Sequence, residues 1–274
     1  MKRVYSKVMG VICMAAAVFS VATGSVNVSA AGLYNLTSQA KVQPAASTSG
    51  KTLLTKESKT LSKSSYLTSE QESIMNKLDT DYNKVNWGVQ YSPKDMEGIV
   101  ISVASYKHSD SPYLLIGITN IYDEDVTFSA KGYAKGKSGQ EVADISFYET
   151  AIRPGNTIVQ SVYCDNTPTG EIHWDSIELP NVYETSTYWE GDWYLSTDSD
   201  GYYKVDYTVK SDDYMMPGYV TALLLDSTGN IIDAGYDYST DKGYTLSDRI
   251  QFYEKDYNRK VVDVAMFSNP LIQD

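Results

Sequence analysis

From Trp87 to the end of the chain the apolar residues recur with a period of two, in runs of five to twelve residues cut by turn-forming residues. The clearest run is 202–210. Tyr203, Val205, Tyr207 and Val209 share one face, and Tyr202, Lys204, Asp206, Thr208 and Lys210 share the other. Successive side chains of an extended strand point to opposite sides, so this pattern is that of a strand with one buried face. Further strands are predicted at 87–91, 99–107, 113–122, 126–135, 141–152, 157–164 and 171–179. A second set follows at 183–189, 193–197, 219–226, 230–239, 244–253 and 260–267. The breaks are turn chemistry: Ser109-Asp110-Ser111-Pro112, Arg153-Pro154-Gly155-Asn156, Pro217-Gly218, Ser227-Thr228-Gly229. Short strands about ten residues apart predict an all-β chain of sandwich or barrel type.

The predicted strands divide at Pro180. Residues 87–180 and 181–274 each read as a small β-sandwich domain, and the two share a motif. Lys137-Ser138-Gly139 and Ser227-Thr228-Gly229 both sit between strands, and each half goes on to an aromatic pair, Phe147-Tyr148 and Phe252-Tyr253. The run Ala222-Leu223-Leu224-Leu225-Asp226, closed by a turn glycine and an apolar strand, resembles the FxLYD-type domains of bacterial exported proteins, with Ala222 and Leu225 departing from the pattern. That resemblance implies two tandem Ig-like β-sandwich domains without catalytic residues. They are expected to meet near residues 180–182.

Ahead of the strands, residues 67–86 predict one amphipathic helix, with its regular part over 69–85. Ser69 is the expected N-cap and Glu72 the partner that completes a capping box. Ile74, Leu78, Tyr82 and Val85 form one stripe. Residues 32–66 are rich in Ser, Thr and Ala. Five lysines (41, 51, 56, 59 and 63) face Glu57 alone, which predicts a flexible, disordered basic linker. Such a tether suits an anionic wall polymer, although a solvated spacer needs lysine as well.

Residues 1–31 have a basic front (Lys2, Arg3, Lys7), an apolar run over 8–21, and a small-residue exit at Ser29-Ala30-Ala31. This is the form of a secretory signal peptide, with cleavage after Ala30 or Ala31. The apolar run is too short for a good membrane span, and no later segment qualifies. Removing 1–31 leaves 20 basic against 35 acidic residues, a net charge of −15. A surface of that sign disfavours nucleic acid and anionic lipid. The expected location is outside the cell, secreted or associated with the wall of a bacterium.

Cys164 is then the one remaining cysteine, so no internal disulfide forms, and its place in an alternating run reads as a small buried residue. Two histidines, His108 and His173, and no His-Glu-x-x-His, Walker or Gly-x-Ser-x-Gly motif argue against an enzyme. Acid pairs for glycoside hydrolysis exist by type, Glu171 with Asp175 or Glu190 with Asp192. No cofactor is expected. Calcium is an open alternative at Asp198-Ser199-Asp200-Gly201, where Asp198 and Asp200 resemble the start of a calcium loop that lacks its later acids.

The candidate ligand-binding residues come from the aromatic load. The chain has 24 Tyr and 4 Trp but only 5 Phe. Tyrosine in place of phenylalanine suits rings that keep one wet edge. Tyr188, Trp189, Trp193 and Tyr194 flank Glu190-Gly191-Asp192, which reads as an exposed acidic turn. The sequence therefore predicts a non-enzymatic binding protein with an extracellular protein or polymer partner. The alternatives are a carbohydrate-binding module, with or without weak hydrolase activity, and a structural spacer. If the turn is only a hairpin clasp, Asp123-Glu124-Asp125 and Asp212-Asp213-Tyr214 are the next acidic loops to consider.

Overall fold

The computed structural model describes residues 64–78, 80–180, 190–215, 218–239, 243–255 and 261–270. The described residues are all-β with one short α-helix. The first half contains β1 (Ser64–Ser65), α1 (Ser69–Met75), β2 (Val89–Tyr91), β3 (Ile99–His108), β4 (Ser111–Asn120), β5 (Val126–Gly136), β6 (Glu141–Ile152), β7 (Thr157–Tyr163) and β8 (Pro168–Glu178). The second half contains β9 (Glu190–Thr197), β10 (Tyr202–Met215), β11 (Gly218–Leu225), β12 (Ile231–Ser239), β13 (Gly243–Lys255) and β14 (Asp263–Pro270). They make four sheets, in the orders β1-β2-β3-β4-β7, β6-β5-β8, β13-β10-β9 and β12-β11-β14. Apart from the parallel β1–β2 pair, the described ladders are antiparallel.

Three apolar layers hold these sheets in a stack. Between the five-stranded sheet and β6-β5-β8 lie Ile101, Val103, Leu114 and Ile116 against Phe128, Ile145, Trp174 and Ile177. Between β13-β10-β9 and β12-β11-β14 lie Val205, Tyr207, Ile250 and Phe252 against Val220, Leu224 and Val264. The third layer joins the halves. Val100, Ala104, Leu115 and Val159 of the five-stranded sheet pack with Leu223, Leu225, Ala265 and Phe267. The two central sheets are thus buried on both faces. Their strands accordingly carry unbroken apolar runs, Ile99-Val100-Ile101, Leu114-Leu115-Ile116 and Leu223-Leu224-Leu225, where a one-sided strand would alternate. Each fully buried Leu or Ile contributes about 1.5–3 kcal/mol of transfer free energy, so the joint between the halves is part of the core. Residues 181–182, part of the expected meeting point, lie outside the described residues.

The segment ahead of the strands is shorter and more broken than the expected helix over 69–85. The α-helix spans Ser69–Met75 and is followed by a 3-10 turn, Asp81–Lys84. Its cap lies one residue earlier than expected. Thr68 Oγ1 accepts from the Gln71 amide and Gln71 Oε1 accepts from the Thr68 amide, so Thr68 and Gln71 form the capping box instead of Ser69 and Glu72. The Asn83 side chain donates to the Met75 carbonyl at the helix end, which also accepts from the Leu78 amide, and to the Leu78 carbonyl beyond it. Seven residues do not make a helix stable in water; tertiary contacts hold this one. Met75, Tyr82, Val85 and Trp87 enter the middle apolar layer, and Ile74 and Leu78 are half-buried. The Tyr82 hydroxyl lies 2.7 Å from the Ser102 hydroxyl, and burial, only partly offset by its hydrogen bonds, pushes the phenol up to about 12. On the other side, the Met266 amide donates to Asp81 at 2.6 Å, Lys84 donates to the Val264 carbonyl at 3.0 Å, and the Asn86 amide donates to the Gly229 carbonyl at 2.8 Å. The segment therefore ties the five-stranded sheet to β12-β11-β14.

Three hairpins share one turn. In β5–β6, β9–β10 and β11–β12 the residue that opens the turn, 136, 198 or 226, donates its amide to the carbonyl of 140, 202 or 230, and its carbonyl accepts from the amide of Gly139, Gly201 or Gly229. The three glycines have φ of 80°, 83° and 79°, in the left-handed region. The resemblance between the two glycine turns at 139 and 229 is thus one of backbone geometry. At Gly229 a Cβ would also lie 2.4 Å from the Lys84 carbonyl oxygen.

Candidate binding surface

Of the four aromatic residues expected to form the site, Tyr188 and Trp189 lie outside the described residues. Trp193 and Tyr194 are on β9, an edge strand paired with β10 in the register Gly191–Val209, Trp193–Tyr207, Tyr194–Asp206 and Leu195–Val205. Residues 190–194 are therefore strand, where a turn was expected. Gly191 does not reverse the chain. It lies opposite Val209, and a Cβ there would come 3.1 Å from Val209 Cγ1. Period two decides the faces. Trp193 and Leu195 turn inward and pack against the core of the second half, while Tyr194 turns outward and is 68% exposed. The Trp193 ring is half-buried and lies under the Lys84 ammonium, 5.4 Å from the ring centroid.

The outer face of β9-β10-β13 carries a shallow depression lined by Asp192, Tyr194, Asp206, Thr208, Ser247 and Arg249. Arg249 Nε donates to Asp206 Oδ1 at 2.6 Å, and the Thr208 and Ser247 hydroxyls lie 2.8 Å apart. Such an exposed ion pair adds little to stability, and the guanidinium and carboxylate are free to exchange it for a partner. Beneath this face Tyr207 donates to Asp237 Oδ2 at 2.5 Å; burial first, then that carboxylate, holds the phenol far above its usual 10.0. An open polar floor with one exposed ring suits an extended or flat partner better than an enclosed small substrate.

The remaining candidates are engaged locally. Asp198 Oδ1 accepts from the amides of Asp200 and Tyr202, and the Tyr202 amide above all holds its carboxyl below the ordinary 3.8. Among the described residues no group of three or more His, Cys, Asp and Glu is arranged to hold a metal ion. Glu171 takes a 2.6 Å contact from Lys135, and Asp175 lies 3.5 Å from His173 Nε2. Glu171 and Asp175 are four residues apart on one strand, about 13 Å along the backbone. Cys164 is buried, and burial pushes its thiol up to about 11. Residues 212–214 lie within β10 and not in a loop, and the Glu124 carbonyl accepts from the Asn120 side chain.

Sequence reasoning missed the His108–Asp233 pair and the tyrosines near it. Asp233 is 1% exposed, and its Oδ1 lies 2.8 Å from His108 Nδ1 on the neighbouring sheet. The one signal was an acid beside the apolar pair Ile231-Ile232, in a strand whose partner Leu223-Leu224-Leu225 is wholly apolar.

No protein-family model matches this chain, and no curated protein matches it.

Proposed function

We propose that this chain is an exported, non-enzymatic binding protein whose two halves are Ig-like β-sandwich modules of the FxLYD type, and that it meets an extracellular partner with the outer face of β9-β10-β13. The observation that carries this reading is Tyr194, 68% exposed on an edge strand beside the Asp206–Arg249 pair. A large ring in that position has little to offer stability and much to offer a partner. Residues 1–31 act in this reading as a signal peptide, and the basic segment 32–66 as a tether to anionic wall polymer. The burial of Cys164 supports a role without a thiol nucleophile.

The test is capture of partners from extracellular and cell-surface extracts, beside a glycan array, with the mature chain and its Tyr194→Ala and Arg249→Ala variants. Losing an anchoring ring typically costs about 2 kcal/mol of binding. Binding unchanged in both variants, with the fold intact by circular dichroism, removes this face from consideration.

A further inference from the structure

A second aromatic surface lies where the middle apolar layer reaches solvent. On β11 and β12, Tyr219 pairs with Tyr238 and Thr221 with Tyr236. These positions share a face with Leu223 and Ala234, which belong to the layer facing the five-stranded sheet. The Tyr219 ring lies 4.8 Å from Tyr238 at 47° and 5.9 Å from Tyr236 at 64°. All three are exposed, by 38%, 41% and 69%. The five-stranded sheet answers with rings on its facing side. Buried Tyr106 stacks on Tyr113 at 5.3 Å, and Tyr113 meets the exposed Tyr163 edge-on at 5.5 Å. Between the two sheets His108 is held by Asp233, with the exposed Tyr253 ring 6.4 Å away.

Among the described residues, the strands that carry these rings have no lysine or arginine on the ring-bearing face. Strands β4, β7, β11 and β12 contain no lysine or arginine, and Lys107, the one such residue of β3, alternates onto the opposite face from Tyr106 and His108. Residues 67–274 carry 34 acidic against 15 basic residues. Tilted ring faces on strands whose ring-bearing sides lack Lys and Arg, in a strongly negative chain, are complementary to positive charge that is weakly hydrated.

We propose that the Tyr219–Tyr236–Tyr238 cluster is a binding site for an organic ammonium group. The site belongs to the β11–β12 face and is independent of the β9 face. Ring quadrupoles attract the cation, and the tyrosine hydroxyls need make no hydrogen bond to it. That separates this ligand class from one held by hydrogen bonds to the tyrosine hydroxyls.

The experiment titrates the mature chain with tetramethylammonium chloride, following tyrosine side-chain NMR signals. Sodium chloride at matched ionic strength and tert-butanol as the neutral isostere form the comparison arms. Saturable shifts at Tyr219, Tyr236 and Tyr238 are expected with tetramethylammonium alone. Tyr236→Ala, whose exposed ring makes it safe for folding, weakens the response by about tenfold, and Tyr219→Phe keeps it. The proposal is overturned by an equal response to tert-butanol, by no saturable response, by Tyr236→Ala matching wild type, or by Tyr219→Phe losing as much as Tyr219→Ala. The last outcome assigns the rings to a hydroxyl-bonded ligand such as a glycan.

Discussion

His108 Nδ1 lies 2.8 Å from Asp233 Oδ1, and the pair fastens β3 of one half to β12 of the other. Asp233 is buried and His108 only partly so. A buried carboxylate is tolerated only when it is partnered. The Ala234 amide also donates to the same oxygen at 2.8 Å, so losing the histidine does not strip Asp233 of every partner. His108→Leu is expected to destabilise the chain by about 1–3 kcal/mol, with part of the loss recovered in the His108→Leu, Asp233→Leu double variant. Urea titration of the three variants measures the coupling. Strictly additive losses contradict it.

The middle apolar layer makes the two halves one cooperative unit. Leu223 is fully buried there against the five-stranded sheet. Leu223→Ala is expected to cost about 2–5 kcal/mol and to lower the melting temperature of both halves together. Calorimetry of the mature chain should show one transition. Two independent transitions, with only the second half moved by Leu223→Ala, would show that the halves are merely strung together.

Cys164 is buried among apolar neighbours and its thiol is pushed up to about 11. The thiolate is the reactive form, so labelling by a thiol reagent at neutral pH should be slow and should follow global unfolding. Dithiothreitol should leave the melting temperature unchanged. Fast labelling of the native protein would place Cys164 in some other environment.

Acid should weaken two hairpins first. The Tyr202 amide holds Asp198 below its ordinary 3.8. At Asp226 burial works upward but is outweighed by hydrogen bonds from the Thr228 hydroxyl, the Asn230 side chain and their amides. A carboxylate with a depressed folded pKa stabilises above its unfolded value and loses that contribution as pH falls through the folded one. Melting temperature should therefore drop below about pH 4, and the drop should be shallower in Asp198→Asn, Asp226→Asn. Parallel curves for wild type and double variant would refute this assignment.

The strands and their turns were legible because both signals are local. Residues 202–210 alternate cleanly, and a left-handed position between strands selects glycine at 139, 201 and 229. The cap was displaced by one residue because Thr68-Gln71 and Ser69-Glu72 are equally good pairs three apart, and tertiary contacts of Gln71 with Ser92 and Glu97 decide between them. Tyr82 and Val85 extended the helical stripe on paper, yet a 3-10 turn places them on the same core. Gly191 between two acids looks like a reversal. Its place opposite Val209 on an edge strand depends on a register set by β10, more than ten residues away. The shared layer was written in the runs 99–101, 114–116 and 223–225, but an apolar run does not say which sheet covers it. The exposure of Tyr194 and of the β11–β12 tyrosines follows from which face each occupies, and that is known only once the sheets are stacked.

The claim that this chain binds through the outer face of β9-β10-β13 is tested most directly by amide NMR mapping of the mature protein as cell-surface extract fractions are added. The account predicts perturbations at Asp192, Tyr194, Asp206, Thr208 and Arg249, abolished in Tyr194→Ala. Perturbations confined to β6-β5-β8 or to the β3–β4 end of the five-stranded sheet, with residues 192–208 silent, would contradict it.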